Sequence, residues 1–504
     1  MEDVRDVVST TSPPLLSYVR AVFSYLRSSS VLRLVAILAM LSWYPLTSSN
    51  WNAASDPDVW WQIRTGEWIS QHHQLPHTDP FSITGIGKPW VAYSWSFGVL
   101  IHAVAKTWDL VGIAGFSILS WTVLTALLFW VVSYVGRNFW IAVALCFCGS
   151  MVLERVVAPR AGNFTILFFL ITLRLLLTYQ REKRAWLLFL LPPLFVLWAN
   201  IHLQFLYGLI LIGAFALEPF LNHIFLRKPW SWRAVAPVWI VLGVCTSATL
   251  LNPYGTGPWR VIWEFLHQPE QYRYVTELHP MAFNLKVHYI VLILCVAAAV
   301  CLGRERKIQP IWTLLFAWAA VQGFHMERDI WVLTVVSIMI IAQHVSSTSM
   351  PSSQSPRWMK LAAFASVLCV LIYSFKAAPN NKELTGRLAL QMPVGAVAYI
   401  HEHKLQGPIF NNFDWGGFLI YSLPEFPVAI DGRTNVHNMV EIGRSLSTWD
   451  ITGKWREDPL LQKANLVIGS PKFALTHALL LDPEFKLVFE DGFSIVYQRV
   501  RPAQ

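Results

Sequence analysis

The sequence predicts a polytopic α-helical membrane protein of about eleven transmembrane helices, followed by a small C-terminal α/β extracytoplasmic domain. Three observations carry this expectation. Hydrophobic residues make up 55% of the 504 and charged residues only 14%, where soluble domains are about a quarter charged. Apolar runs near spanning length recur as far as residue 377. Basic residues gather in alternate loops between those runs, as the positive-inside rule asks. The net charge of +9 therefore reads as topology, and no nucleic-acid partner is expected.

Residues 1–30 form a cytoplasmic or interfacial segment. Leu16, Val19, Val22, Phe23 and Leu26, with Arg20 and Arg27 beside them, fit an amphipathic helix lying on the bilayer. The first apolar run starts near Val31, late for a cleaved signal peptide, so it reads as a retained first span. The transmembrane domain covers 31–377. Its apolar cores are 31–48, 111–134, 138–153, 163–179, 185–199, 203–221, 235–252, 288–303, 308–323, 328–345 and 359–377. The loops assigned to the inside carry Arg137, Arg181, Lys183, Arg184, Arg227, Lys228, Arg233, Arg304, Arg306, Lys307, Arg357 and Lys360. With the N-terminus cytoplasmic, the outer segments are 49–110, 154–162, 200–202, 253–287 and 322–329. Residues 346–358 read as a flexible inner loop. The expected location is the cell (inner) membrane.

Residues 378–504 are richer in charge and contain no run long enough to span. Strands are expected at 408–411, 427–430, 466–469, 486–489 and 494–498, and helices at 391–404, 415–423 and 471–481. The six cysteines all lie inside apolar runs and read as small core residues rather than disulfides or metal ligands.

The polar residues that can do chemistry gather on the outer side. The first outer loop opens with Asp56 and Asp58 beside a span end, where a carboxylate is costly without a role. Two carboxylates this close can act as a general base or hold a divalent cation. Asp56 can equally cap the helix that follows. The second outer loop carries Glu154, Arg155 and Arg160. Arginine suits a phosphate, and it also suits snorkelling to headgroups. His202 sits in a loop too short to leave the membrane face and can protonate a leaving phosphate or make an interhelical bond. Glu277 and Arg328 lie in the fourth and fifth outer loops. His72, His73, His77 and Asp79 match no zinc spacing.

The first outer loop resembles that of GT-C fold glycosyltransferases, in the aminoarabinose- and mannose-transferring branch. Asp56 matches the first acidic residue of that pattern, and Lys88-Pro89-Trp90 matches its lysine segment. The resemblance implies that Asp56 deprotonates the acceptor and that Lys88 binds a lipid phosphate. Asp58 stands where that branch has an adjacent Glu, and one Pro stands where it has two. Phe413-Asp414-Trp415-Gly416-Gly417, followed by a strand ending in Asp431-Gly432-Arg433, resembles the acceptor-side motif of oligosaccharyltransferases, which share the GT-C architecture. Asp79, Asp414, Trp415, Asp431 and Arg433 are accordingly expected on the acceptor side. Those enzymes hold a metal through an acidic pair in the second outer loop, where this chain has only Glu154. Asp58, Glu154 and Glu277 are the candidates if Mg2+ or Mn2+ is used.

These resemblances imply a membrane glycosyltransferase. Its donor is a sugar on a polyprenyl phosphate or diphosphate, and inversion is the expected outcome. Its acceptor is an extracytoplasmic glycan, lipid or protein. Asp56 is the expected base and Asp58 its aid, with Lys88, Arg155, Arg160, His202 and Arg328 around the phosphate. Two other readings stay open: a transporter or flippase, and a non-catalytic protein that binds polyprenyl lipids.

Overall fold

The computed structural model describes residues 29–46, 56–136, 138–268, 274–305, 309–345 and 357–500. The expected helix within 1–30 and the loop 346–358 fall almost wholly outside the described residues, as do Arg137, Arg306 and Lys307. Each of the eleven expected apolar cores coincides with a helix in the structure. Among the described residues, however, only six helices are long and apolar enough to cross a membrane, or seven if a pair bent by 75° near residue 380 counts as one span.

Local chemistry explains the shortfall. The 185–199 core holds Pro192 and Pro193, and it divides into a 3-10 turn at Ala185–Leu190 and the helix α1, Leu191–Ile201. The first core is only the 13-residue helix Ser30–Ser42. In contrast, Trp95–Val135 (α2) runs for 41 residues, about twice what a bilayer requires. It is broken at Asp109, whose φ of 54° leaves the helical region, so the outer-loop half and the spanning half are separate rods. Ile330–Val345 (α3) is apolar on all sides and buried along most of its length. It packs against α2, Phe139–Val156 (α4), Lys286–Arg304 (α5) and Pro310–His325 (α6), which makes it the centre of the bundle.

The C-terminal region is a four-stranded sheet in the order β1-β2-β4-β3. β1 (Ile409–Asn411) pairs parallel with β2 (Leu466–Gly469). β4 (Ile495–Arg499) pairs antiparallel with β2 and with β3 (Phe485–Glu490). The expected strand at 427–430 is not a full strand. Val428 makes single bridges to Ile409 and to Ser82 of the outer loop, which leaves it wedged between them. One face of the sheet is covered by Ala474–Leu480 and Met439–Trp449 (α7), with Phe410, Trp449, Leu475 and Tyr497 in the core.

The sheet region is joined to the membrane helices by apolar packing. Pro57–His72 (α8) is the helix of the first outer loop, and Gly416–Ser422 (α9) packs directly on it. Trp60 of α8 meets Phe418 edge-on at 5.2 Å and Tyr421 at 5.1 Å. One continuous buried cluster runs from Met40 through Trp60 to Val496. The outer helix, the bundle and the sheet therefore form one packed body, which fixes the groups between them.

Candidate functional site

The site lies where the first turn of α8 meets the C-terminal sheet. Asp56 caps this helix: its side chain accepts from the Asp58 N–H at 2.9 Å, and Pro57 takes the first helical position, where its missing N–H costs nothing. Asp58 follows one residue into the turn, and Trp61, a turn further on, donates its indole N–H to the Asp58 carboxylate at 3.1 Å. From the far side, Gly417 and Gly432 press onto this turn. A Cβ on Gly417 would collide with the Pro57 carbonyl, and one on Gly432 with the Asp58 carboxylate. Glycine is needed at both positions because the backbone of the sheet region approaches α8 too closely for a side chain.

Arg160 gathers three carboxylates. Its Nε donates to Asp56 at 2.6 Å, one terminal nitrogen pairs with Asp58 at 3.6 Å, and the other donates to Glu277. The cluster opens on a cleft of about 630 Å³. Asp58, Arg160 and Glu277 line one wall, and Asn412, Asp414 and Trp415 line the other. Burial pushes the Asp58 carboxyl up to about 6. The neighbouring Asp56 and Glu277 charges add to this, against the pull of Arg160 and the Trp61 hydrogen bond. Glu277 lies below the usual carboxylate range because Arg160 outweighs its burial, and Arg328 and Arg155 pull in the same direction.

The structure sorts the expected site residues into three groups. Asp56, Asp58, Arg160 and Glu277 come together, and Asp414 and Trp415 face them across the cleft. Arg155 and Arg328 flank this group at helix ends. Arg155 pairs with Glu327 at 3.4 Å, and both arginines are exposed.

The remaining residues sit elsewhere. Both Asp56 oxygens are engaged, one by the helix cap and one by Arg160. Lys88 does not line the cleft. Its ammonium pairs with Glu441 of α7 at 3.1 Å. His202 is bonded to Thr165 at 2.9 Å, which in turn accepts from Trp198. Burial pushes its imidazole down to about 3, so it is neutral at physiological pH. Glu154 is not among the residues that line the cleft.

Asp79, Asp431 and Arg433 are buried together rather than facing an acceptor. Arg433 donates twice to Asp431, at 2.8 and 2.7 Å, and once to Asp79 at 2.5 Å. It lies against the rings of Trp90 and Phe81. His437, which sequence reasoning missed, completes the network between Asp431 and Thr84. Arg433 and His437 hold the Asp431 carboxyl far below its usual range despite burial. This network fastens the outer loop to the sheet region.

Among the described residues no group of three His, Cys, Asp or Glu side chains is placed to hold a metal ion. The three carboxylates that converge are turned on the Arg160 guanidinium.

No protein-family model matches the chain, and no curated protein matches it in sequence. Its fold is similar to that of the archaeal oligosaccharyltransferase AglB from Archaeoglobus fulgidus, solved in complex with an inhibitory peptide and a dolichol-phosphate. That match has a TM-score of 0.54 and 11% identity, and it covers 88% of this chain and 70% of that one. The arabinofuranosyltransferase AftD from Mycobacteria matches at a TM-score of 0.47 and 12% identity, over 94% of this chain and 40% of that one. ArnT from Cupriavidus metallidurans, bound to undecaprenyl phosphate, matches at 0.48 and 13%, over 96% and 98%. The chain is a multi-pass membrane protein whose fold is similar to that of the oligosaccharyltransferase AglB.

Proposed function

We propose that the chain transfers a sugar from a polyprenyl phosphate or diphosphate to an acceptor on the extracytoplasmic side, with Asp58 as the general base. The observation that carries this reading is the position of Asp58. Its carboxyl is raised to about 6 and lines the cleft beside Arg160, which is what a base operating near neutrality requires. Asp56 and Arg160 then serve to hold it. Arg160 fixes the geometry and limits how far the Asp58 carboxyl rises.

In this reading the acceptor hydroxyl or amide approaches from the sheet side. Asp58 takes its proton as the acceptor oxygen or nitrogen bonds to the anomeric carbon and the bond to the lipid phosphate breaks. The departing phosphate gains negative charge, and the exposed guanidiniums of Arg155 and Arg328 are positioned to bind it with paired hydrogen bonds. Direct displacement of this kind inverts the anomeric centre. The helix that follows Arg160 starts at Gly162, and its opposite end carries Arg181 and Lys183; Arg227 and Arg304 likewise lie at the far ends of Phe205–Leu226 and Lys286–Arg304. That charge asymmetry supports an extracytoplasmic cleft.

Native mass spectrometry of gently purified protein tests the donor assignment. A polyprenyl phosphate or phospho-sugar should stay bound, and its occupancy should fall in Arg155→Ala and Arg328→Ala. Bound bulk phospholipid only, with no uptake of added polyprenyl phosphate, would refute it.

A further inference from the structure

We infer that the sheet-side wall of the cleft is a saccharide subsite and that the acceptor is an uncharged glycan. This rests on the transferase reading above and narrows it. At about 630 Å³ the cleft is within the range of small-molecule sites, roughly 300–1,000 Å³. Its sheet-side wall combines half-buried aromatic rings, Phe413 and Phe473, with the side chains of Asn412 and Asp414. A sugar ring has the matching chemistry: a C–H face that packs on an aromatic ring and hydroxyls around its edge that both donate and accept.

Asn412 points most directly to a ligand. It is 7% exposed, lines the cleft, and its amide oxygen is buried with no hydrogen-bond partner. The adjacent Asn411 shows what satisfaction looks like on the same strand end: its side chain bonds the Asn412 and Ile430 carbonyls and the Ala429 N–H. An orphaned buried acceptor is destabilising, and a ligand hydroxyl donating to it would satisfy it. Among the described residues, Asp414 likewise has no ion-pair or hydrogen-bond partner. Partial desolvation against the cleft wall raises its carboxyl, with no counter-charge beside it.

Two features weigh against other acceptors at this wall. An extended peptide docks by adding a strand to an open sheet edge. The free edge of β1 is closed here: the Ile409 N–H donates to the Pro427 carbonyl at 3.1 Å, and the Asn411 side chain takes the Ala429 N–H and Ile430 carbonyl. An anionic acceptor meets the carboxylates of Asp58, Glu277, Asp414 and Asp450 against the single guanidinium of Arg160. An anionic acceptor sugar is therefore disfavoured at this wall relative to a neutral one.

The test is saturation-transfer NMR on the full-length protein in nanodiscs. The probes are maltotriose, cellotriose and mannotriose, with trigalacturonate and an acetylated Asn-Ala-Thr tripeptide as the competing classes. The expected result is transfer to ring C–H protons of at least one neutral trisaccharide and none to the other two probes. Binding should weaken about tenfold in Asp414→Asn, the loss of one charge-assisted hydrogen bond. Asn412→Ala should show a similar loss. Asp414 is exposed, so its isosteric variant should fold. Binding of the tripeptide or trigalacturonate in preference to all three neutral probes overturns the inference, as does no neutral binding, or binding unchanged in both variants. Native mass spectrometry of the same sample separates the two readings. Lost polyprenyl phosphate with retained sugar removes the donor assignment only, and the reverse removes the saccharide subsite only.

Discussion

Two regions of this molecule are built from the same parts and do different work. Around Arg160 stand Asp56, Asp58 and Glu277. Around Arg433 stand Asp79 and Asp431. In the second cluster all three side chains are 0% exposed, and every donor of the arginine fork that meets a carboxylate does so at 2.5 to 2.8 Å. In the first, Arg160 is 22% exposed, Asp58 31% and Glu277 40%, and the Asp58 contact is loose at 3.6 Å. A closed network of this kind fixes one arrangement of loop and sheet. An open one leaves a carboxylate reachable from the cleft, with its pKa moved towards neutrality by desolvation and by the neighbouring Asp56 and Glu277 charges. Arginine and aspartate in an outer loop therefore do not announce a catalytic role; exposure and completeness of pairing separate the two.

The largest expected effect is on the closed cluster. Arg433→Ala leaves Asp79 and Asp431 buried without their counter-charge, and breaking such a pair costs about 3–5 kcal/mol. Thermal unfolding and protease sensitivity of the outer loop should show it directly. A variant as stable as wild type would mean that this cluster is not what holds the loop to the sheet.

Asp58→Asn is expected to do the opposite: it should fold normally and lose roughly 10²–10⁴-fold in transfer rate, the usual contribution of a positioned base. Asp56→Asn sharpens the contrast inside the open cluster. Asparagine caps a helix as well as aspartate, so only the charged bond to Arg160 is lost, and transfer should fall about tenfold. Equal losses in the two variants would return Asp56 to the role of base. The smallest effect is expected for Lys88→Ala. Its ion pair with Glu441 has Lys88 48% exposed, and such pairs contribute about 0–1 kcal/mol. Transfer and melting temperature should stay close to wild type, and a large loss of transfer would place Lys88 in the phosphate site after all.

Much of the bundle was legible because hydropathy acts locally: each apolar core coincides with helical structure. Helix length was less legible, since Pro192 and Pro193 shorten one core and the break at Asp109 lies inside an unbroken apolar pattern. The gathering of polar residues on one side was readable from the loops. Which of them meet was not, because the partners are far apart in the chain. Arg160 and Glu277 are 117 residues apart, and Arg433 and Asp79 are 354 apart.

Some of what was missed did carry a signal. Asn438 and Glu441 form a capping box at the start of α7, and Asn-x-x-Glu before an apolar stretch is a helix-start pattern. Asp56 before Pro57 had the form of a helix cap, and the structure gives it that position. The role of Asn412 had no local signature, since its orphaned oxygen exists only because the folded strand end and cleft surround it.

The most direct test is the pH dependence of donor turnover, read as polyprenyl phosphate released from a polyprenyl-phospho-sugar and followed by 31P NMR. A base must be unprotonated to act, so a carboxyl at about 6 predicts a rate that is low in acid, rises through about pH 6 and is flat above it. That acid limb should be absent from the residual activity of Asp58→Asn and present in Asp56→Asn. A limb that survives unchanged in Asp58→Asn, or full turnover in that variant, would contradict the assignment of Asp58 as the base.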